Sequence, residues 1–500
     1  MTFLVLPCNE NQVRGIAQYA IDFCHGTFPA PDDSVLLRTE QFHTDSVACA
    51  IAAFGCDANA PHVLRNEALQ YPFAGGAYCF ESDLAVHPEK AVLANASAVR
   101  ELDSNGTNFG YNPRTGYTRG EFGHNDFYPV PVAAAQQANL AGRAALLGMI
   151  CLDEIRGRLA EVFGLKDHKV DHVVHGAIAS AAVYGSMMGA TVDQIESAIG
   201  MVVAHYVPFR AIRHGHQLSD SKGASAAISA EVAVLSMRRA MNGFNGPADI
   251  FRNSQAIFCL FEPTDAPDTA PFDLELATSG DDFAVMGMHF KLGLYEHQSA
   301  GAIQGLIDVL QANPQLLEQG AEPLQKIRIT IYQPAFEIIG DPAKRNPQTR
   351  QSADHSMVYI IATLLRKALE LHESTELRSA DWKELMLVPA DYDDAALHHP
   401  TTRSLMDRIE FVHGGEEYDT RYPNGIPTTL EVDHTTVGSV TSGLVMFPAG
   451  HARNTDARLD ELLAYKFDLL TGSRTALRDR LTALRSLSAA DVRHLYRLDA

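Results

Sequence analysis

The sequence predicts a mainly helical protein in which both chain ends form one large all-helical domain and a smaller α+β domain is inserted between them. Three observations predict this. Apolar residues follow helical spacing before residue 263, strand-like alternation marks the middle region, and helical spacing returns after residue 460. The chain of 500 residues also exceeds the roughly 250–300 residues at which a single core stops growing.

The domain boundaries are predicted from a change in composition. A proline-rich joint at 263–271 ends the first helical part. We therefore expect a first helical part at 1–267, an α+β domain at 268–453, and C-terminal helices at 454–500. The C-terminal helices are expected to pack back on the first part.

Individual elements follow from local patterns. The segment from Thr191 to Gln194 resembles a capping box that opens a helix. In the middle region, alternation of apolar and polar residues predicts strands, and helical spacing predicts helices. The strands are expected at 326–332, 429–433 and 440–447, and the helices at about 355–372 and 379–387.

Composition and charge argue against several kinds of partner. The chain has 61 acidic and 40 basic residues and a net charge of -21, so it lacks the basic face that nucleic acid or an anionic membrane requires. No run approaches the roughly 20 apolar residues of a membrane span, and residues 1–20 show no signal peptide. The seven cysteines contain no CxxC pair, which favours a reducing cytoplasm over a disulfide framework.

The most unusual stretch is 204–242. Its first half is a loop crowded with cations, and its second half, from Ala224, has the small residues of a buried helix. A helix N-terminus favours bound anions because it offers free N–H groups and a positive dipole end. The stretch therefore predicts a pocket for a small molecule with several carboxylates, and a solvated basic loop is the alternative. The cations are His205, Arg210, Arg213, His214, His216 and Lys222, with Asp220 opposing them.

Two further segments contain candidate chemistry. A long loop at 102–126 is rich in Gly, Asn, Thr and Asp, and loops of this length are often functional. His172 and His175 stand at i and i+3, a spacing that can bind a metal. No HExxH-type context accompanies the pair, so we predict no metal site.

Five local matches, in order over nearly the whole chain, resemble the MmgE/PrpD family. Each motif is weak alone, but their order and spacing together identify the chain as a member of the family and of its dehydratase branch. The matches are LDSNGT at 102–107, Gly123 with His124, Asp171 with His172, the run from Arg210 to Lys222, and the two segments DHSMVY at 354–359 and FPAGHAR at 447–453.

The resemblance implies a fold, an assembly and a pocket. It implies that the α+β domain acts as a lid on the helical domain, that the protein is a homodimer, and that catalysis uses no metal or organic cofactor. The matching segments place Asp103, Thr107, His124, His172, Lys222, Lys291 and Tyr359 in the pocket, with His297 following Lys291.

The sequence also departs from the family pattern near the pocket. Asn125 stands where the family commonly has proline after the histidine. The loop that follows Asn108 is longer than expected and contains the extra Arg114 and Arg119, and the segment 288–298 lacks the family's proline. These departures leave the substrate open.

The chemistry of a tricarboxylate dehydratase defines roles for these residues. The enzyme removes a proton next to a carboxylate and expels a hydroxyl, so it needs cations and proton-transfer groups. Arg210 and Arg213 suit bidentate carboxylate binding, and we expect His124 and Lys222 to transfer the protons. The catalytic candidates are His124, Lys222, Asp103 and His172, and the substrate-binding candidates are Thr107, Arg210, Arg213, Lys291, His297 and Tyr359.

The expected function is that of a cofactor-free hydro-lyase that dehydrates a tricarboxylate such as 2-methylcitrate to 2-methyl-cis-aconitate. Decarboxylation of cis-aconitate and epimerisation of a dicarboxylate are alternatives on the same scaffold, and the run from Arg210 to Lys222 favours the dehydratase. A non-catalytic polycarboxylate-binding protein is the alternative from another class. It predicts ligand-induced stabilisation without turnover.

Overall fold

The protein consists of a large helical domain built from both chain ends and an inserted α+β domain, as the sequence predicts. A computed structural model describes residues 3–108, 110–112, 114, 116–117, 119–120, 123, 125–213, 217–339 and 342–498. One hydrophobic core contains buried residues from 6–290 and 467–498, and a second draws mainly on residues 292–449.

The first part of the chain supplies most of the helical domain. Its helices are α1 (Gln12–Cys24), α2 (Asp33–Gly55), α3 (Asn59–Ala68), α4 (Pro88–Glu101), α5 (Pro129–Ala138), α6 (Gly142–Val162), α7 (Val173–Met187), α8 (Val192–His205), α9 (Asp220–Met241) and α10 (Ile257–Phe261). Short strands are β1 (Phe3–Leu6), β2 (Pro72–Tyr78), β3 (Ala85–Val86), β4 (Tyr111–Asn112), β5 (Gly116–Tyr117) and β6 (Leu274–Ala277). β1 pairs antiparallel with β6.

Small residues allow the central helices of this domain to approach closely. α9 packs against both α4 and α7. A Cβ at Gly185 of α7 would lie 2.5 Å from Sδ of Met237 on α9, and a Cβ at Gly223 would lie 2.8 Å from Oε2 of Glu101 on α4. Glycine at both positions leaves room for these side chains between the helices, and the N-terminus of α9 lies next to the end of α4.

The inserted domain is a four-stranded sheet covered by helices. Its elements are α11 (Ala300–Ala312), β7 (Leu324–Ile331), α12 (Gln333–Ile339), α13 (Pro342–Arg345), α14 (Arg350–Ala353), α15 (Met357–Glu373), α16 (Asp394–Leu397), α17 (Pro400–Met406), β8 (Ile409–His413), α18 (Glu416–Asp419), β9 (Thr428–His434) and β10 (Gly438–Val445). The strand order is β10-β9-β7-β8, with only the β7–β8 pair parallel. Alternate residues of β9 are buried, and α11 packs on this strand.

The C-terminal helices return to the helical domain. They are α19 (Leu459–Thr471), α20 (Thr475–Thr482) and α21 (Ala489–Arg493), and they pack against α2 and α5. Arg485, after α20, donates to the buried Glu40 of α2 through Nε at 2.8 Å and Nη2 at 2.5 Å. The domain boundaries at residues 267 and 453 stay a prediction.

The structure confirms some of the elements that local sequence patterns predict and corrects one of them. Thr191 and Gln194 form the predicted capping box. The helix predicted at 379–387 is wrong, because the Asp381 carboxylate accepts the N–H groups of Lys383 and Glu384 and holds a turn there. Such side-chain bonds compete with helix formation.

No described helix alone has the length and apolar composition of a membrane span. The α2 and α3 helices together have both, but they are bent by 97° at their junction.

Candidate active site

The candidate site is organised around the carboxylate of Asp103, which follows α4 and is 1% exposed. Its Oδ1 accepts hydrogen bonds from Nζ of Lys291 and, at 3.1 Å, from Nη1 of Arg100. Its Oδ2 lies 2.9 Å from Nε2 of His355. Burial alone would raise the pKa of Asp103, but the neighbouring Lys291, His355 and Arg100 hold it well below its usual value. Asp103 is therefore an anion with both oxygens engaged.

A histidine of the inserted domain connects Asp103 to a second buried carboxylate. Nδ1 of His355 lies 2.5 Å from Oδ1 of Asp354. Nη1 of Arg350 donates to Oδ2 of Asp354 at 2.9 Å, and Nη2 of the same side chain donates to Glu101. Because Glu101 ends α4 and Asp103 follows it, this chain of contacts joins the α14–α15 turn to the helical domain.

Lys222, in the first turn of α9, brings an unusual ammonium group into this cluster. The residue is 1% exposed, and its Nζ has no hydrogen-bond partner among the residues that the structure describes. Burial and the nearby Arg100 lower the pKa of Lys222 to about 7, although Asp103 and Asp354 oppose the shift. A buried lysine without an acceptor is costly to the fold, and such perturbed groups concentrate at functional sites.

A second group of charges lies where α7 begins. Arg213 donates to Asp171 through Nε and, at 3.3 Å, through Nη2, and Nδ1 of His172 lies 3.3 Å from the same carboxylate. Burial alone would raise the pKa of Asp171, but Arg213 and His172 hold it below its usual value. Arg210 also acts electrostatically on Asp171. The cation run is therefore opposed by Asp171 as well as by Asp220, which binds Asn59.

Thr107 and Lys291 line a narrow cleft at the junction of the two domains. Two backbone hydrogen bonds of 2.9 and 2.7 Å join Thr107 and His289. His297 and His451 also line the cleft. Through His289 and His451, the cleft adjoins a cavity of about 520 Å³. Ligand pockets commonly have volumes in this range.

His124 lies outside the described residues, but its neighbour Gly123 packs against His172, where a Cβ would lie 2.3 Å from Nε2. Tyr359 is fully buried, and its hydroxyl donates to the carbonyl of Asp391 at 2.8 Å. This contact holds the Tyr359 side chain within the inserted domain.

Asp103, Asp354 and His355 also have the residue types of a metal site, because their ligand atoms lie within 4.8 Å of one another. However, each of the four carboxylate oxygens contacts a basic side chain: Lys291 and Arg100 at one, His355 at two and Arg350 at the fourth. A metal ion would have to displace these contacts. The group therefore fits a network of proton-bearing side chains better than a metal.

Sequence reasoning missed Arg100, Arg350, Asp354 and His355 in this network. Arg100 lies within an ordinary helix pattern, and Asp354 and His355 stand in the sequence only as part of a motif. The motif at 354–359 was the available signal, but local spacing gave no means of pairing it with Asp103. The structure also accounts for the extra arginines, because Arg114 pairs with Glu275 and Arg119 forms a bidentate pair with Glu262.

Comparison with known families decides the relationship. The sequence profile of the MmgE/PrpD N-terminal domain matches residues 14–269, and that of the MmgE/PrpD C-terminal domain matches residues 296–487. The chain belongs to the MmgE/PrpD family. Its site joins both MmgE/PrpD domains, because Asp103 and Lys222 lie in the first match and His355 lies in the second.

Several MmgE/PrpD relatives are similar over most of their length. The 2-methylcitrate dehydratase of Salmonella typhi is 22% identical over 456 residues, which cover 87% of each chain. The probable 2-methylcitrate dehydratase of Saccharomyces cerevisiae is 21% identical, with 89% of this chain and 82% of the relative covered. The mitochondrial 2-methylcitrate dehydratase of Yarrowia lipolytica is 23% identical, with 93% and 84% covered.

Proposed function

We propose that this protein is a hydro-lyase that dehydrates a tricarboxylate such as 2-methylcitrate to 2-methyl-cis-aconitate. The observation that carries the proposal is the buried ammonium of Lys222, which has no hydrogen-bond partner among the described residues and lies beside the Asp103–His355–Asp354 network. Full-length similarity to proteins named 2-methylcitrate dehydratase supports the substrate class.

The proposed base is Lys222. With a pKa of about 7, part of the population carries a neutral amine at neutral pH, and a neutral amine can accept the proton from the carbon next to a substrate carboxylate. The electron pair of the broken C–H bond forms the double bond, and the hydroxyl on the neighbouring carbon leaves as water. A positioned base of this kind contributes about 10²–10⁴ in rate.

The proposed acid is a histidine at the start of α7 or in the adjoining loop. Asp171 contacts Nδ1 of His172, and the Nε2 edge of the ring faces Gly123. We propose that Nε2 donates the proton to the departing hydroxyl. His124 is the second candidate, because it follows Gly123 directly in the chain.

The remaining residues are proposed to bind and orient the substrate. Arg210 and Arg213 lie next to Asp171 and supply cations for the carboxylates. Lys291 and Thr107 line the cleft, and His297 lies beside them. We propose that the substrate reaches the cleft through the adjoining cavity of about 520 Å³.

The test is an assay of chelator-treated protein with 2-methylcitrate and with citrate, in which the absorbance of the conjugated alkene acid is followed. We expect a rise with 2-methylcitrate that survives chelation and is lost in Lys222→Met. Absence of turnover with both acids would contradict the proposal. Carbon dioxide release from cis-aconitate would indicate a decarboxylase instead, and ligand-induced stabilisation without turnover would indicate a binding protein.

Three accompanying expectations stay predictions. They are a homodimeric assembly, a cytoplasmic location and catalysis without a metal or organic cofactor. The chelation step tests the absence of a metal, and the mass of the protein in solution tests the homodimer.

A further inference from the structure

A buried lysine from the C-terminal helices contacts the backbone of the candidate site. Lys466 of α19 is fully buried. Its Nζ donates to Oδ1 of Asp45 at 2.7 Å, to the carbonyl of Ser104 at 2.6 Å and to the carbonyl of Lys291 at 2.8 Å. An ammonium group has three donors, so every donor of Lys466 has an acceptor.

The two carbonyl acceptors belong to the segments that present the ion pair of the site. Ser104 directly follows Asp103, and Lys291 supplies the cation that binds the Asp103 carboxylate. The same segments are joined by Ser104 Oγ to the Gly293 carbonyl at 2.8 Å and by the Tyr295 N–H to the Asp103 carbonyl at 3.0 Å. Lys466 therefore binds the two backbones at the point where they meet.

We propose that Lys466 is a positioning residue that holds the Lys291–Asp103 pair in place relative to Lys222. Through this residue the C-terminal helices are linked to proton transfer. The inference rests on the proposed function, because it concerns the same site. Asp45 is part of this arrangement: its carboxylate supplies the negative charge without which a buried ammonium would be strongly destabilising.

The position of Lys291 matters because Asp103 acts electrostatically on both lysines. Lys291 neutralises part of the Asp103 charge that Lys222 experiences. If the Ser104 and Lys291 backbones shift and the pair loosens, Asp103 favours the protonated form of Lys222 more strongly. Loss of Lys466 should therefore raise the pH at which Lys222 titrates and reduce the neutral amine available at neutral pH.

The main variant is Lys466→Met, and the matched control is Arg485→Met. Arg485 also ties the C-terminal helices to α2 through a buried carboxylate, Glu40, but its side chain contacts neither Ser104 nor Lys291. We expect both variants to lower Tm. Only Lys466→Met should lower kcat, by about 10–100-fold as for other misplaced catalytic groups.

A second variant covers the case in which Lys466→Met does not fold. Asp45→Asn combined with Lys466→Met removes both charges together, and replacing a buried pair as a unit is often tolerated. We expect the same loss of kcat, with KM within about threefold of the wild-type value because the substrate cations remain.

A substrate-free measurement separates this inference from the proposed function. Lysine labelled at the ε-carbon reports the titration of Lys222 by NMR, with Lys222→Met giving the assignment. We expect the titration to move to higher pH in the Lys466 variants and to stay in place in Arg485→Met. Unchanged titration and kcat in folded Lys466 variants would overturn the inference, whereas an inactive wild-type protein with the expected shift would contradict only the proposed function.

Discussion

Lys466 on α19 and Lys222 on α9 are both buried near the Asp103–Lys291 pair, but the surroundings of their ammonium groups differ. Lys466 on α19 has three oxygen acceptors, one of them the carboxylate of Asp45. Lys222 on α9 has none among the residues that the structure describes. Burial with a full set of acceptors produces an anchor, whereas burial without acceptors produces a group that gives up its proton near neutral pH.

The largest effect is expected when the carboxylate of Asp103, which binds Lys291 and acts electrostatically on Lys222, is removed. Asp103→Asn leaves the ammonium of Lys291 buried without its carboxylate and removes the carboxylate 3.1 Å from Arg100, which keeps Asp126 at 3.7 Å. This change should cost about 3–5 kcal/mol of unfolding free energy. Turnover should fall at least as far as in any other variant of the site. Chemical denaturation and initial rates measure both effects, and wild-type stability would show that the network is not held by this charge.

The second-largest effect is expected at Lys222 on α9. Lys222→Met should reduce kcat by about 10²–10⁴-fold because the proposed base is lost. Its stability at neutral pH should equal or exceed that of the wild type, since a buried ammonium that lacks a hydrogen-bond partner in the described part of the chain is removed. Initial rates and Tm together give the result. A destabilised Lys222→Met protein would mean that Lys222 is an anchor like Lys466.

The pH dependence of stability should also distinguish Lys222 from an anchor. Its pKa is about 7 in the folded protein and near 10.5 in an unfolded chain. Between these values the unfolded state binds more protons, so unfolding free energy rises with pH. The loss of unfolding free energy caused by burying the Lys222 ammonium is fully present below pH 7 and disappears towards pH 10.5. The Tm advantage of Lys222→Met should therefore be largest at pH 6 and shrink at pH 9, and a constant difference would contradict this.

The smallest effect is expected at the surface of the long loop. The Arg119–Glu262 pair is solvent-exposed on the arginine side, so Arg119→Ala should cost no more than about 1 kcal/mol. Its kcat should stay within about twofold of wild type, because solvent-screened pairs couple weakly to other sites. Steady-state kinetics provides the check, and a large rise in KM would instead place Arg119 in the substrate site.

Much of the fold could be predicted from local sequence. The alternation at 326–332 and 429–433 corresponds to β7 and β9, because one face of the sheet is buried. The capping box at Thr191 and Gln194 is a four-residue signal with a local cause. The helix predicted at 379–387 is wrong because the Asp381 side chain accepts backbone hydrogen bonds that form a turn. The spacing of apolar residues does not reveal that competition.

The candidate site was less predictable because its contacts are long-range. The run from Arg210 to Lys222 was identified by its cations, but the partner of Arg213 is Asp171, which comes from another element. His355 meets Asp103 only because the inserted domain closes on α4. The burial of Lys222 depends on the close packing of α4 and α9. The only sign of this packing in the sequence is the presence of small residues.

The most direct test of the account is the titration of Lys222 in the wild-type protein, measured by NMR of lysine labelled at the ε-carbon. The resonance missing in Lys222→Met provides the assignment. We expect Lys222 to titrate near pH 7. Titration of Lys222 near pH 10, as for an ordinary lysine, would contradict the central claim.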